Sequence, residues 1–323
     1  MVMLYELPPW FLRGFALVFG LLWGSFLNVV IHRVPRGESV VHPASRCPEC
    51  GKPIRPWNNL PIISWLLLRG RSRCCGKRIA VRYILVEAAG GLLSMALVES
   101  AVLSMPVANT SLLHAALVYS LWFAFGMSMM AAAFIDLEHM FIPDSISVGA
   151  IVLGLATYWL RSPLSFAEAI AASATGFVVV WLVFGVLYRL VRGRTGMGLG
   201  DAKLLAVAGA WFGFGGMLFA LLAGAVQGTV AAVLVLVLKG RIDEPDAVIK
   251  ERAALLAEVA AIEDPAERSE AEKELQKDPL FERNESGVGG VRVPFGPFLV
   301  LAIIEYMLVG NVLVEHYLSW IDM

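Results

Sequence analysis

The feature that most constrains this chain is the recurrence of apolar runs about as long as a bilayer is thick. A helix crossing the hydrocarbon needs about 20 mostly apolar residues. Eight segments approach or reach that length, near residues 10–31, 82–104, 112–135, 145–160, 168–190, 201–213, 216–238 and 295–317, the sixth being the shortest. With 58% apolar residues, 16% charged residues and a mean hydropathy of +0.71, there is too little polar surface to clothe a water-soluble domain. The expectation is an all-α, polytopic transmembrane bundle of about eight spans with lipid as its constant partner. No early apolar stretch ends in a small-residue cleavage site, so the first span, starting near Trp10, reads as a retained helix.

Charge placement gives an orientation. Of the 26 Lys and Arg, 24 lie in three segments, 32–82, 189–203 and 239–292, leaving only Arg13 and Arg161 elsewhere. Lys and Arg near span ends resist translocation. Eight spans with an external N-terminus then put all three basic segments, and the 136–143 connection, on the cytoplasmic side. The expected organisation is a first span (1–31), a basic cysteine-bearing cytoplasmic domain (32–81), a membrane core (82–238), a charged helical insertion (239–293) and a last span (294–323). In the insertion, Leu255, Leu256, Val259 and Ile262 fall at helical spacing and Pro265 separates a second charged helix, which reads as a hairpin. Its 14 Asp and Glu against nine Lys and Arg make solvated faces the default. Nothing in the chain points to nucleic acid.

Ionisable groups in or beside hydrocarbon are costly, so those that remain are functional candidates. Asp136 closes the third span in Phe134-Ile135-Asp136-Leu137-Glu138-His139, and Asp201 opens the sixth in Gly196-Met197-Gly198-Leu199-Gly200-Asp201-Ala202-Lys203. The topology puts both at one membrane face. Two carboxylates about 3 Å apart cannot both ionise, and such a pair can act as acid and base on a water. The structural alternatives differ. Asp201 could cap its helix, where the dipole favours an anion; Asp144, after Pro143, is better explained as a cap; Asp136 at a helix C-terminus gains nothing from the dipole. Glu138 and His139 read as interfacial, and Glu305 lies inside the last span without an obvious partner. The glycines before Asp201 fail as a phosphate loop, which would end in Gly-Lys-Ser/Thr. They suit close approach of an extended peptide backbone instead.

Ile135-Asp136 running on to Ile142-Pro143-Asp144, together with Gly196-Met197-Gly198-Leu199-Gly200-Asp201-Ala202-Lys203-Leu204, resembles the type IV prepilin peptidases, a membrane aspartic-protease family with a Gly-x-Gly-Asp motif. Gly24-Ser25-Phe26-Leu27-Asn28 through Arg33, Cys47-Pro48-Glu49-Cys50, Asn59-Leu60-Pro61-Ile62-Ile63-Ser64-Trp65-Leu66, Arg82-Tyr83-Ile84-Leu85-Val86-Glu87 and Pro294-Phe295-Gly296-Pro297-Phe298 resemble it too. The resemblance covers about residues 20–315 except the charged insertion. It implies a bacterial inner-membrane enzyme with Asp136 and Asp201 as catalytic pair, and prepilins or pseudopilins with a basic leader ending in glycine as substrates. It also implies methylation of the new N-terminal amine by S-adenosylmethionine. Gly198, Gly200, Lys203, Asp144 and Glu87 are candidates to shape the site or bind substrate. Glu87 and Glu49 are on the side where a basic leader would arrive, although Glu87 could equally pair with Arg82 or Lys77.

Cys47 and Cys50 have knuckle spacing, which in a reducing compartment points to structural zinc. The family's second pair is also Cys-x-x-Cys, but here the stretch is Arg71-Ser72-Arg73-Cys74-Cys75-Gly76. Either Cys74 joins Cys47, Cys50 and Cys75 as a ligand with strain, or three thiolates bind with another ligand. The rival to a peptidase is a proton-coupled secondary transporter using Asp136, Asp201 and Glu305, against which both aspartates sit at one face and not at the midplane.

Overall fold

The computed structural model describes residues 3–47, 49–106, 109–161, 164–192, 198–240, 246–262, 264–275 and 294–321. Its regular structure among these residues is helical. In chain order the helices are α1 (Pro9–Arg33), α2 (Ile63–Leu67), α3 (Arg82–Leu97), α4 (Leu112–His139), α5 (Asp144–Ala156), α6 (Phe166–Val180), α7 (Tyr188–Arg192), α8 (Leu199–Lys239), α9 (Asp246–Ala260), α10 (Pro265–Leu275) and α11 (Gly296–Ile321). π-helical turns extend α3 through Val98–Val102 and join α6 to α7 through Trp181–Leu187. Three isolated bridges, Met3 with Ser111, Arg46 with Pro53 and Arg71 with Arg78, are the β-type pairing seen among the described residues.

Each apolar segment expected from the sequence is helical over most of its length, although the fourth stops at Ala156, short of residue 160. Five helical stretches are long and apolar enough to cross a membrane, Pro9–Arg36, Arg82–Val102, Leu112–His139, Phe166–Leu187 and Leu199–Lys239, and two further apolar helices are shorter, Asp144–Ala156 and Gly296–Gly310. This is a multi-pass membrane protein. Of the three segments that separate five from eight, two are these shorter helices and one lies in α8. Its 41 residues would make a straight rod about 60 Å long, twice the hydrocarbon thickness. Gly213 breaks it, with φ +66° and ψ −160°, so its two halves correspond to the sixth and seventh segments. That backbone conformation suits glycine.

The chain divides into two compact units, the first Met1–Ala132 with Leu160–Ser162 and Ile304–Met323, the second Ala133–Trp159 with Pro163–Ile303. Within the first, α1 packs on α3 through small residues, as membrane helices do when hydrophobic contrast is absent. A Cβ on Gly24 would lie 2.7 Å from the Glu87 Cα, and one on Gly90 would lie 2.7 Å from the Gly20 carbonyl oxygen. Arg13, one of the two cations outside the basic segments, is paired with Glu99. Within the second, α8 packs on α6 and α5. A Cβ on Gly176 would meet the Leu205 carbonyl at 2.8 Å, and Trp211 Nε1 donates to the Ala150 carbonyl at 2.8 Å. In the insertion, α9 and α10 follow one another and touch, with the Arg268 guanidinium donating to the Ile262 carbonyl at 3.0 Å. Residues 241–245 and 276–293 of that insertion lie outside the described residues.

Candidate active site

Asp136 sits one turn before the end of α4, only 7% exposed. Met140 stops the helix by adopting φ +54°, while its N–H still donates to the Asp136 carbonyl at 2.9 Å. The chain then turns through Ile142 and Pro143 into α5. Asp201 occupies the third position of α8, half-buried, and its Oδ2 accepts from the Gly198 N–H at 3.3 Å. The helix-capping alternative for Asp201 is therefore partly real: it satisfies a free donor at a positive helix end. It also lies close enough to Asp136 for the two carboxylates to interact electrostatically.

Glycines fit tightly around this pair. The Gly296 N–H donates to Asp136, and a Cβ on Gly296 would stand 2.5 Å from Asp136 Oδ2. A methyl group at that position would have to push the carboxylate aside. Cβ atoms on Gly200 and Gly296 would lie 3.1 and 3.2 Å from the same atom, Ile142 Cδ1. One buried isoleucine thus fills the space that both glycines leave, tying the α4–α5 turn to the starts of α8 and α11. Gly198 is exposed beside Asp201. Gly196 and Met197, the beginning of the glycine motif, lie outside the described residues.

Asp144 differs from its expected role. Pro143 takes the N-cap position and the Asp144 side chain makes no cap; its exposed carboxylate is instead ion-paired with Lys203, joining the starts of α5 and α8. Glu138 and His139 are half-buried and engaged with neighbours, as is Glu305 in the last helix, so the expectation that Glu305 lacks a partner is overturned. Glu87 pairs with neither alternative foreseen for it. Its Oε2 accepts from the Ile62 N–H at 2.7 Å and the carboxylate also meets Ser25, while Lys77 lies 3.9 Å from Glu49.

The four cysteines converge. Their sulfurs all lie within 4.8 Å of one another, with Cys47 to Cys75 at 3.8 Å and Cys50 to Cys74 at 3.4 Å. Tetrahedral bonds of about 2.3 Å to one zinc would place sulfurs about 3.8 Å apart, so the set fits a metal, Cys74 included. Two matched turns hold them. Cys47 N–H donates to the Lys52 carbonyl at 2.9 Å and Gly51 N–H to the Cys47 carbonyl at 2.9 Å; Ser72 N–H donates to the Lys77 carbonyl at 2.8 Å and Gly76 N–H to the Ser72 carbonyl at 2.9 Å. Gly51 and Gly76 have φ of +68° and +71°. Ser72 therefore stands where Cys47 stands in the first turn, its hydroxyl 3.0 Å from the Cys75 sulfur. Burial, the largest single influence, would raise the Cys47 thiol, but the backbone N–H groups of Cys50 and Glu49 together with the Cys74 and Cys50 thiols lower it to about 6, favouring the thiolate that a metal needs.

Sequence reasoning singled out Asp136, Asp201 and the cysteines, but not Gly296 or Ile142 as parts of the site. Gly296 was visible within Pro294-Phe295-Gly296-Pro297-Phe298, where a Gly-Pro at a helix start marks a special backbone position. Ile142 carried no signal beyond its place in the turn.

The structure is thus a multi-pass helical membrane protein in which two aspartates lie near one another among tight glycine contacts. Comparison with known proteins identifies the group. The type IV leader peptidase family matches residues 122–233, and the bacterial peptidase A24 N-terminal domain matches residues 18–101. A prepilin leader peptidase/N-methyltransferase of Myxococcus xanthus is 33% identical over 331 residues, covering 94% of this chain and 93% of that one. Proteins of the same name from Pseudomonas putida and Neisseria gonorrhoeae are 36% and 35% identical, covering 71% and 70% of this chain and 82% and 83% of theirs. The chain belongs to the prepilin leader peptidase/N-methyltransferase family. No solved structure matches it, and nothing among the relatives supports a transporter.

Proposed function

We propose that this protein removes the leader of prepilins or pseudopilins after the leader glycine, and then methylates the amine so exposed. In the peptidase step one of Asp136 and Asp201 holds a proton while the other takes one from water, which attacks the scissile carbonyl. The protonated partner then delivers its proton to the leaving amine. The observation that carries this reading is the convergence of the two aspartates with Gly296, whose N–H and missing side chain hold Asp136 in place. Gly198 and Gly200 leave room for an extended substrate, and the Lys203–Asp144 pair braces the helix starts beside it.

Eight membrane crossings follow if α8 crosses twice about Gly213 and the two short apolar helices also cross. The basic segments then face the cytoplasm, with an external N-terminus in a bacterial inner membrane. The five-part organisation proposed is 1–31, 32–81, 82–238, 239–293 and 294–323. Cys47, Cys50, Cys74 and Cys75 would hold a structural zinc that ties the ends of a loop with little core of its own. The methyl-transfer step uses S-adenosylmethionine, which supplies an electrophilic methyl group.

The test is cleavage of a purified prepilin in detergent micelles by the parent and by Asp201→Asn, with the new N-terminus located by mass spectrometry. Cleavage after the leader glycine by the parent alone is expected. Equal cleavage by both proteins would remove Asp201 from the mechanism.

A further inference from the structure

The basic cysteine-bearing loop carries an apolar surface that faces the wrong way for a segment in water. Between Trp57 and Leu67, the side chains of Trp57, Leu60, Ile63, Leu66 and Leu67 are all exposed, Leu67 to 79%. Ile63, Leu66 and Leu67 fall at i, i+3 and i+4 of α2 and so share one of its faces. The polar residue of the helix is turned inward instead. Ser64 is buried, its hydroxyl accepting from the Leu60 N–H at 2.9 Å and donating to the Trp57 carbonyl at 3.2 Å. Trp65 is held on the inner side too, its Nε1 donating to the Ile79 carbonyl at 3.3 Å and its ring lying against Gly70. A loop surrounded by water has the opposite arrangement, and an exposed apolar face of this kind marks a binding surface.

Depth along the neighbouring helices identifies what this surface meets. The Ile62 N–H, at the start of α2, is gripped by Glu87, whose carboxylate also meets Ser25. Glu87 is five residues beyond Arg82, where its apolar helix starts, and Ser25 is eight residues before Arg33, where α1 ends. At about 1.5 Å per residue these positions are about 7–8 Å and about 12 Å inside the two charged helix ends. Both rulers place the Glu87 carboxylate, and with it the backbone that opens α2, within the apolar lengths of α1 and α3. Ile62 is fixed there at φ +59°, a conformation costly for a β-branched residue that persists only where its surroundings impose it. An apolar face presented at that depth meets acyl chains and not water. Arg55 before the patch and Arg69 and Arg71 after it are exposed, cations that suit the phosphates of the headgroup layer.

We propose that residues 57–67 are an interfacial anchor, with Leu60, Ile63, Leu66 and Leu67 inserted among the acyl chains of the leaflet at which α3 begins and the flanking arginines on lipid phosphates. The insertion is about 5–10 Å into the boundary between headgroups and acyl chains, the depth at which amphipathic interfacial segments lie. The cysteine loop is then fastened to the bilayer surface by this patch as well as by the two helices it connects.

The experiment uses the full chain in vesicles of phosphatidylethanolamine and phosphatidylglycerol. A keto amino acid is encoded in place of Leu67, of Ile63 or of the exposed Lys52 and carries a nitroxide, which leaves the four cysteines untouched. Electron paramagnetic resonance measures collisions of the nitroxide with oxygen, which concentrates in lipid, and with a nickel chelate, which stays in water. Helix content by circular dichroism checks folding, so the result stands whether or not the chain cleaves prepilins. Oxygen collisions should exceed nickel collisions at Leu67 and Ile63, and the order should reverse at Lys52. A label at Leu66 replaces one at Leu67 or Ile63 that disturbs the fold. Nickel collisions as frequent at Leu67 as at Lys52 would place the segment in water. Few collisions with either reagent would place it against protein, a second copy of the chain included. Either outcome overturns the proposal.

Discussion

The aspartate site of the second unit and the Glu87 contact of the first are built by the same device with opposite consequences. In each, a glycine lets one helix come within contact distance of a polar residue on another: Gly296 against Asp136, Gly24 against Glu87. At Asp136 the close approach delivers a backbone donor to a carboxylate that is also electrostatically coupled to a second one. At Glu87 it delivers a carboxylate that merely holds a backbone turn. The difference teaches that a buried acid is not a catalytic acid by burial alone. What matters is whether a second ionisable group shares its surroundings.

Neutralising either aspartate has the largest expected effect. Asp136→Asn or Asp201→Asn is expected to lower leader cleavage by about a thousandfold or more, as loss of a group acting in a unit does. Methyl transfer to a peptide already freed of its leader should persist, as labelled-methyl incorporation would register. Equal loss of both activities would mean that the two sites are not separable.

Smaller in effect is Gly296→Ala, whose added methyl displaces the Asp136 carboxylate. Cleavage should fall by about a hundredfold, the cost of a misplacement on the order of 1 Å. Helix content by circular dichroism should stay unchanged; normal cleavage by this variant would show that Asp136 needs no such positioning.

Metal removal sharpens the contrast from the other side. Chelation, or Cys47→Ser, should make the 32–81 loop sensitive to limited proteolysis, because a loop with little core is held by its ligands. The membrane helices should remain intact by the same assay. The two cysteine turns permit a finer test. Since Ser72 occupies the place equivalent to Cys47, Ser72→Cys should restore zinc content to a Cys74→Ser protein, measured by atomic absorption. Failure to restore it would show that the matched backbone does not make the two positions interchangeable.

The smallest expected effect is at Lys203→Gln. Its partner Asp144 has a side chain 72% exposed, and exposed ion pairs contribute about 1 kcal/mol or less. Cleavage should change by no more than about threefold; a loss comparable with Asp201→Asn would move Lys203 into the chemistry.

Much of this was legible beforehand for reasons that can be named residue by residue. Apolar run length is a local property, so every membrane helix was foreseen, and a costly aspartate at the end of such a run marks itself. The knuckle Cys47-Pro48-Glu49-Cys50 is equally local. The division between segments 201–213 and 216–238 was foreseen, but not that Gly213 makes it within one continuous helix, because only its backbone angles, φ +66° and ψ −160°, distinguish it from the other glycines of α8. Asp144 misled because the residue after a proline at a helix start has the composition of a cap, whereas its nearest cation, Lys203, is 59 residues away in the chain.

The sequence by itself determined that the chain is helical, crosses the membrane several times, and carries two aspartates and four cysteines in patterns that few chemistries explain. Hydrophobic length, charge placement and short-range spacing carry that information because each acts within one or two turns of backbone. Only the tertiary structure decided that Gly296 sits against Asp136, that Cys74 converges with the other thiols although Ser72 interrupts the pattern, and that Glu87 serves Ile62. It also decided that the Asn28 amide donates to the carbonyl of Tyr83, 55 residues away in the chain. These are pairings between distant segments, where van der Waals contact and hydrogen-bond geometry over a few ångströms choose the partner, and no local pattern encodes that choice.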